Sequence, residues 1–391
     1  MKGDSLLKKA MVLIFICIFA VFFFTKQVLA LDIVDEQLQN MDLNDINSFL
    51  KQINEKYGDY IPQYDLKDLI KSMRGERGYD FWGAVKGIIK YIFREISANF
   101  MLLGQLIALS VICAVLRNIN SAFESDNVGK VAYSVIYLIL IVIAIQSFSV
   151  AMRVGKDAIE QMVSFIQALM PTIFALLASI GGITSVAVFN PLIFIGVSAA
   201  STWIKDIILP IIFFTAVLGL INNISDRFHV SMLASFLKQI CVFLLGLFLS
   251  VFLGILVVKG AASATIDGIT IRTAKFASKN FIPIVGGIFS DTVDTIVGCS
   301  LILKNAIGFV GLLIVLMIAI FPVLKILSIV FIYKLAGAVI QPIGEESMVK
   351  CLNDMANSLM MIFISVASVA MMFFVAITVI LAVGNATVMM R

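Results

Sequence analysis

Two aspartates lie in the middle of an otherwise apolar stretch, PIVGGIFSDTVDTIVGCSLILKN, at residues 283–305. A charged side chain in hydrocarbon costs roughly 2.5–3.5 kcal/mol on insertion scales, so a chain that keeps one there supplies a partner or a water path. With about 100° of rotation per residue, Asp291 and Asp294 share one face of a helix. The same face carries small and polar residues: Gly287, Gly298 and Asn305, with Lys304 near its end. The spacing predicts a polar stripe that points toward other helices or water.

Two hypotheses compete for this polar stripe. In the first, Asp291 and Asp294 line a polar path or bind a partner subunit within the membrane, with Lys304 at one end. In the second, the carboxylates pair with basic groups and fix the register of neighbouring helices. The basic residues suited to that role are Arg272, Lys275 and Lys325. Residue types and spacing leave both hypotheses open.

The chain offers little for catalysis or for binding a metal ion. His229 is its only histidine, which excludes a zinc motif built on a histidine pair. Neither a Walker-type phosphate loop nor a serine nucleophile elbow is present, so we expect no catalytic residue, no metal and no cofactor. The cysteines lie in apolar or amphipathic segments, which favours reduced, packed thiols over disulfides. They are Cys17, Cys113, Cys241, Cys299 and Cys351.

Composition assigns the chain to the membrane proteins. Apolar residues make up 61% of its 391 residues, charged residues make up 14%, and the mean hydropathy is +1.05. These values are too apolar for a soluble domain of this length, so we expect an all-α, polytopic helical membrane protein. No long basic tract interleaved with aromatic residues occurs, which argues against nucleic-acid binding.

Three segments precede the predicted membrane domain. Residues 1–30 combine basic residues, a short apolar core and a plausible cut after Ala30, the pattern of a signal peptide; the alternative is an uncleaved anchor. Residues 31–80 carry eleven acidic and six basic side chains and predict a small helical extracytoplasmic region that docks on a partner or on the membrane domain. Residues 81–98 predict an amphipathic interfacial helix or an extension of the first span. Its basic stripe consists of Lys86, Lys90 and Arg94.

Residues 99–391 form the predicted multi-spanning domain, with ten candidate spans. They are 99–116, 131–151, 163–180, 184–202, 207–222, 239–258, 284–303, 306–321, 323–340 and 356–383. Several are shorter than the ~20 residues needed to cross ~30 Å of hydrocarbon, so some are expected to be half-helices or re-entrant. Strict alternation through all ten would place the basic loop at residues 259–282 outside the cytoplasm, against the positive-inside tendency.

An internal repeat is predicted, with copies at about 131–258 and 239–383. The stretch SMLASFLKQICVFLLGLFLS at Ser231 resembles SMVKCLNDMANSLMMIFISV at Ser347, and two pairs of prolines recur at a separation of 112 residues. Broken helices at matched places in two halves point to a transporter site, although a repeat used for packing would look the same. The candidate helix breaks are Pro171, Gly181, Gly182, Pro210, Pro283, Gly286 and Pro322.

From Val257 to Gly308 the chain reads VVKGAASATIDGITIRTAKFASKNFIPIVGGIFSDTVDTIVGCSLILKNAIG. This stretch resembles the stage III sporulation protein AE family of endospore-forming bacteria, and the blocks DGITIRTAKF and DTVDTIV carry most of its specificity. The order of signal peptide, short acidic region and polytopic domain also agrees. That domain includes FNPLIFIGVSAASTWIKDIILP from Phe189, and the resemblance covers essentially the full chain.

The resemblance implies a non-enzymatic subunit of a secretion-like channel complex that links mother cell and forespore. It implies a role in late forespore gene expression and spore development, and no catalytic residues are carried over from the family. The implied partners are membrane lipid, a separate ATPase and ring-forming subunits. The implied location is the mother-cell (outer forespore) membrane, multi-pass, with the N-terminal region in the space between the two membranes. A many-spanning chain of unsettled topology is also expected to need a membrane insertase.

Two functional hypotheses follow. The leading one is a membrane platform or export-gate-like component of that complex. The alternative is a permease that moves a small solute through the interface between the two repeats.

Overall fold

A computed structural model describes residues 41, 43–63, 65–66, 68–69, 80–122, 126–222, 230–281, 285–343 and 346–390. It describes the backbone alone at residues 81, 117–122, 126–130, 133, 278–281, 285–293 and 295. The predicted signal peptide and Pro283 lie outside these residues.

The described residues form helices joined by short turns, and no strand occurs among them. In chain order the helices are α1 (Asn44–Tyr57), α2 (Phe81–Ala98), α3 (Phe100–Ala122), α4 (Asp126–Ser179), α5 (Ile183–Thr202), α6 (Leu209–Asn222), α7 (Ser231–Phe281), α8 (Val285–Ile340) and α9 (Glu346–Met389). A π-helical segment, Trp203–Ile208, joins α5 to α6, and a 3-10 turn, Gln341–Ile343, follows α8. The all-α prediction is confirmed.

Six helical runs within the described residues are long and apolar enough to cross a membrane, judged by length and composition. They are Trp82–Leu116, Ser134–Ser179, Ile183–Asn222, Ser231–Ala277, Ile296–Ile343 and Glu346–Met389. A polytopic helical membrane protein is thus confirmed, whereas the ten predicted segments are too many.

The predicted segments are too many because neighbouring ones fuse into single helices. α4 contains both 131–151 and 163–180 and runs through Pro171 without a break. α8 runs in the same way through Pro322. The helix breaks predicted at these two prolines are wrong. Proline removes one backbone donor, but neighbouring helices and local adjustments satisfy the freed carbonyl in membrane helices.

Other candidate breaks lie at or near helix ends. Gly181 and Gly182 form the turn between α4 and α5, and Gly181 has a φ of 92°, a left-handed conformation that is costly for residues with a Cβ. Pro210, by contrast, follows the π-helical segment inside the continuous helical run Ile183–Asn222, so the break predicted there is wrong as well. Gly286 is the second residue of α8.

α4, α8 and α9 run side by side as the core of the bundle. Gly311 of α8 lies against Leu169 of α4, and Gly155 of α4 lies against Ile326 of α8. The later residue of α8 meets the earlier residue of α4, so the two helices are antiparallel. The polar contacts described below show that α8 and α9 are antiparallel as well.

The helical part of the acidic N-terminal region docks on the middle of the long helices. The ring of Phe49 lies edge-on to Phe165 of α4, with centroids 5.3 Å apart, and Tyr57 stacks on Phe321 of α8, with centroids 3.8 Å apart. The buried apolar face of α1 consists of Ile46, Leu50 and Ile53. Of the two docking surfaces expected for this region, α1 therefore uses the membrane domain.

The internal repeat remains a prediction. Ser231 and Ser347 fall at the starts of α7 and α9, as a repeat requires. Pro210 and Pro322 both lie inside continuous helical runs, Ile183–Asn222 and α8, so their places do not decide whether the chain contains a repeat.

Candidate functional site

Two charged side chains are fully buried at one end of the bundle. Asp267 of α7 is 2% exposed and Lys304 of α8 is 0% exposed; among the described residues they are the only charged side chains buried to this degree. A buried charge is costly unless hydrogen bonds satisfy it. The hydrogen-bond partners of Asp267 and Lys304 therefore define the site.

Asp267 caps the helix that follows the glycine turn. Its two carboxylate oxygens accept hydrogen bonds from the backbone N–H groups of Thr184 and Ser185, each at 2.8 Å. No side chain of α5 itself caps that end. The first N–H groups of a helix lack partners within the helix, and its N-terminus attracts negative charge. Asp267 of α7 therefore supplies the acceptors for the unpaired N–H groups at the start of α5.

Lys304 is received by α9. Its Nζ donates to the carbonyl oxygen of Leu381 at 2.9 Å and to Oδ1 of Asn385 at 3.3 Å. Gly384 supplies the space, since a Cβ at that position would lie 2.0 Å from Nζ. Both acceptors are neutral oxygens, and no carboxylate among the described residues pairs with Nζ of Lys304.

The two buried charges surround the same turn. The Cβ that would meet Lys304 at Gly384 would also lie 3.1 Å from Leu177 and from Ile180, the last residues before the glycine turn. Asp267 holds the other side of that turn, at the start of α5. We call this constellation the buried junction. It consists of Asp267, Lys304, Gly384 and Asn385 around Gly181 and Gly182.

A second lysine fixes the other end of the α8–α9 pair. Nζ of Lys334 donates to Oδ1 of Asn353 at 3.0 Å and to Oδ1 of Asn357 at 3.2 Å. Lys304 meets residues near the end of α9, whereas Lys334 meets residues near its start. The two contacts make α8 and α9 antiparallel and specify their register.

The predicted polar stripe does not stay together. Asp294 is exposed and pairs with Lys275 of α7 at 2.6 Å, which is the pairing that the second hypothesis proposed. Lys304 instead faces α9, so Asp294 and Lys304 belong to different contacts. A Cβ at Gly298 would meet nothing within 4 Å. Gly287 and Asp291 lie in the part of α8 described by its backbone alone.

Asn305, the last stripe residue, remains partly unsatisfied. Its Oδ1 is buried without a hydrogen-bond partner among the described residues, and so is Oγ of Ser185 beside the Asp267 cap. The described residues leave both groups open: the amide oxygen can only accept a hydrogen bond, whereas the serine hydroxyl can donate or accept one.

Sequence reasoning missed three members of the buried junction. Asp267, Gly384 and Asn385 lie outside the predicted stripe, and their partners are 77 to 83 residues away in the chain. The available signal was weak: Asp267 is an isolated acid among small and apolar residues, in ASATIDGIT.

The arrangement is suited to holding helices. Asp267 and Lys304 form hydrogen bonds with backbone groups and an amide oxygen of other helices. These bonds hold α5, α7, α8 and α9 around the glycine turn. No group of three or more histidine, cysteine, aspartate or glutamate residues is placed to hold a metal ion in the described part of the chain.

Comparison with known proteins identifies the family. The profile of stage III sporulation protein AE matches residues 64–384. Stage III sporulation protein AE of Bacillus subtilis (strain 168) is 40% identical over 352 residues, covering 90% of this chain and 88% of that protein. No solved structure matches the chain. The chain belongs to the stage III sporulation protein AE family, which implies a role in sporulation.

Proposed function

We propose that this chain is a non-enzymatic membrane subunit of a secretion-like channel complex that links the mother cell and the forespore. It acts there as a platform or export-gate-like component, required for late forespore gene expression and spore development. A separate ATPase and ring-forming subunits are its partners. It lies in the mother-cell (outer forespore) membrane, with the N-terminal region between the two membranes. Family membership and the multi-helix architecture support this role.

The observation that carries the platform proposal is how the buried charges are satisfied. Lys304 and Asp267 form hydrogen bonds of 2.8 to 3.3 Å with groups of their own chain. A charge that handles a solute must exchange partners during each cycle, whereas these partners are backbone groups and an asparagine on packed helices. Such contacts fix helix positions, which is what a platform for other subunits requires.

One observation favours the permease alternative. Oδ1 of Asn305 and Oγ of Ser185 are buried without partners among the described residues. Buried polar atoms inside a membrane domain are hypotheses for a solute or ion path. The alternative therefore deserves a direct test against the platform.

The substitution Lys304→Met separates the two functions. It removes the buried charge and keeps an unbranched side chain of similar length. A platform with a loosened junction is expected to lose co-purification with the other sporulation subunits, and spore formation falls with it. A permease is expected to assemble normally, with loss of spore formation caused by lost transport.

The matched control is Lys350→Gln, which removes an exposed lysine that pairs with Glu346 at 3.2 Å. This control is expected to assemble and sporulate like the parent chain. The amount of each variant in the membrane is measured in parallel, so that loss of assembly is distinguished from loss of the protein. Unchanged assembly and sporulation in Lys304→Met would contradict both roles for the junction.

A further inference from the structure

One side of α2 is fixed against the rest of the protein. Tyr91 is buried and lies edge-on to Phe321 of α8, with ring centroids 4.9 Å apart. A Cβ at Gly87 would overlap the carbonyl oxygen of Tyr60, so α2 approaches the chain after α1 as closely as only a glycine allows. Gly87 and Tyr91 are four residues apart and therefore share one face of the helix. These contacts set the rotation of α2 about its axis.

The opposite side of α2 exposes large apolar side chains. Trp82, Ile89 and Phe93 are 71%, 49% and 67% exposed. At about 100° per residue they fall within an arc of about 40°, on the side of the helix away from Gly87 and Tyr91. Such a strip of exposed apolar side chains is typical of a surface that contacts lipid or another protein.

Two lysines border this apolar strip. Lys86 and Lys90 are exposed, and the same helical rotation places both within about 80° of the centre of the strip. Nζ of Lys90 lies 5.7 Å from the ring centroid of Tyr60, a cation–π contact that leaves the positive charge in place. No carboxylate in the described part of the chain forms an ion pair with either lysine. We call the three apolar side chains and the two lysines the outer face of α2.

The remaining charged groups of this region interact with the protein itself. Asp80 caps the start of α2 through its carboxylate. Arg94 donates to the hydroxyl of Tyr60. Glu95, the only acidic residue within α2, interacts with Tyr91 on the inner side of the helix. The outer face of α2 therefore combines apolar surface with positive charge.

The residues that follow the lysines have the length and composition of a membrane crossing. Residues 96–116 contain no Asp, Glu, Lys or Arg. At about 1.5 Å per residue they extend for about 30 Å, which is the thickness of the hydrocarbon layer. Lys86 and Lys90 precede this stretch by one to three helical turns. A crossing by 96–116 thus places both ammonium groups at the height of the lipid headgroups.

We propose that the outer face of α2 binds anionic lipid headgroups at the membrane interface. Trp82, Ile89 and Phe93 lie at the boundary of headgroups and acyl chains, where aromatic side chains are enriched. Lys86 and Lys90 extend to the negatively charged headgroups, as long basic side chains do at membrane interfaces. This inference does not rest on the proposed function, because a platform and a permease would meet lipid in the same way.

Trp82 can report on the lipid next to it. The chain has two tryptophans, Trp82 and Trp203, so Trp203→Phe leaves one emitter. The substitution keeps a ring beside Phe248, where the stacked ring centroids lie 6.0 Å apart. The full single-tryptophan chain is reconstituted alone into nanodiscs that contain equal parts of phosphatidylglycerol and phosphatidylcholine.

Bromine on the acyl chains of one lipid or the other identifies the neighbour of Trp82, because bromine quenches tryptophan emission only at short range. The headgroup composition is identical in the two preparations. A difference in quenching therefore measures which lipid is enriched around the outer face of α2.

The expected result is stronger quenching by brominated phosphatidylglycerol. A basic residue near an anionic surface favours the anionic lipid roughly fivefold, so an enrichment of about this size is expected around Trp82. Raising the salt concentration should reduce it, since salt screens charges at the surface. The salt series uses the unsubstituted lysines and so tests the dependence on charge independently of any variant.

Lys86→Gln combined with Lys90→Gln should make the two brominated lipids quench equally, while the apolar strip keeps Trp82 in contact with lipid. The control combines Lys156→Gln with Lys350→Gln, which removes two exposed lysines outside α2. This control should keep the preference for phosphatidylglycerol.

Three outcomes would overturn the proposal. Equal quenching by the two lipids in the single-tryptophan chain would show that the outer face meets lipid without selecting its charge. Absence of quenching by either lipid would show that water or protein covers this face. A preference that survives the loss of both lysines would place the anionic-lipid site elsewhere.

Discussion

At the scale of single residues, the buried charges are stabilised by neutral groups. Asp267 accepts from two backbone N–H groups and Lys304 donates to a carbonyl and an amide oxygen. The exposed pair of Lys275 and Asp294 differs, since water screens it, and exposed pairs contribute about 0–1 kcal/mol. Substitutions in the buried junction should therefore cost more than substitutions in that pair.

Gly384→Ala is expected to destabilise the protein. The new Cβ would lie 2.0 Å from Nζ of Lys304, so the ammonium must leave its acceptors, and overpacking of this kind costs about 1–3 kcal/mol. The melting temperature in detergent should fall. Gly254→Ala is the control, because its Cβ would meet nothing within 4 Å. Both substitutions replace a helical glycine with alanine, so both gain the same helix propensity. Equal melting temperatures for the two variants would contradict the proposed role of Gly384.

Asp267→Ala is expected to loosen the start of α5. Two buried N–H groups lose their acceptor, and an unsatisfied buried donor costs about 1–3 kcal/mol. Hydrogen exchange at Thr184 and Ser185 should accelerate. Asp294→Ala removes an acid from an exposed pair and should leave that exchange unchanged. If both substitutions act alike on these amides, Asp267 is not the cap.

At the scale of elements, the glycine turn decides where α4 ends. Pro171 and Pro322 leave their helices continuous, because each removes only one backbone hydrogen-bond donor. Gly181, in contrast, adopts a left-handed φ of 92°, which the α-helix does not allow. The backbone conformation of Gly181 therefore ends α4, and the Asp267 cap stabilises the start of α5.

Gly181→Ala is expected to destabilise this turn by about 1–2 kcal/mol, the cost of a left-handed conformation for a residue with a Cβ. The melting temperature of the purified protein in detergent measures the loss. Gly246→Ala provides the comparison, since its Cβ would meet nothing within 4 Å and it lies within α7. A Gly181→Ala variant as stable as Gly246→Ala would show that the turn adapts without strain.

At the scale of the whole molecule, α1 is joined to the bundle through aromatic contacts at mid-height. Tyr57 lies on Phe321, with ring centroids 3.8 Å apart. Burial, together with the nearby carboxylate of Glu95, raises the pKa of Tyr57 to about 12. A phenol is uncharged at physiological pH even at its ordinary pKa, so the raised pKa reflects the burial of the ring in the contact that connects the N-terminal region to the centre of α8.

Tyr57→Ala is expected to release α1 from the bundle. Ring stacking alone is worth about 0.5–1.5 kcal/mol, so limited proteolysis of the N-terminal region should become up to about tenfold faster. Phe93→Ala, which removes a ring that is 67% exposed, should not change the rate. Equal proteolysis rates for the two variants would place the attachment elsewhere.

The amino-acid sequence by itself determined the class of protein. An apolar content of 61% requires a lipid environment whatever the packing, and helices are the secondary structure that satisfies every backbone group within one segment. The same local information identified Lys304, Gly181 and Gly182, and it included the pairing of Asp294 with Lys275 as one of two hypotheses.

Only the tertiary structure decided what receives the buried charges and where the helices end. The partners of Asp267 and Lys304 lie 77 to 83 residues away, and helical periodicity carries no information at that separation. Pro171 and Pro322 had the local character of breaks, yet packing between long helices kept the chain helical through both. Burial of a charge depends on which helices meet, and that is a property of the assembled bundle.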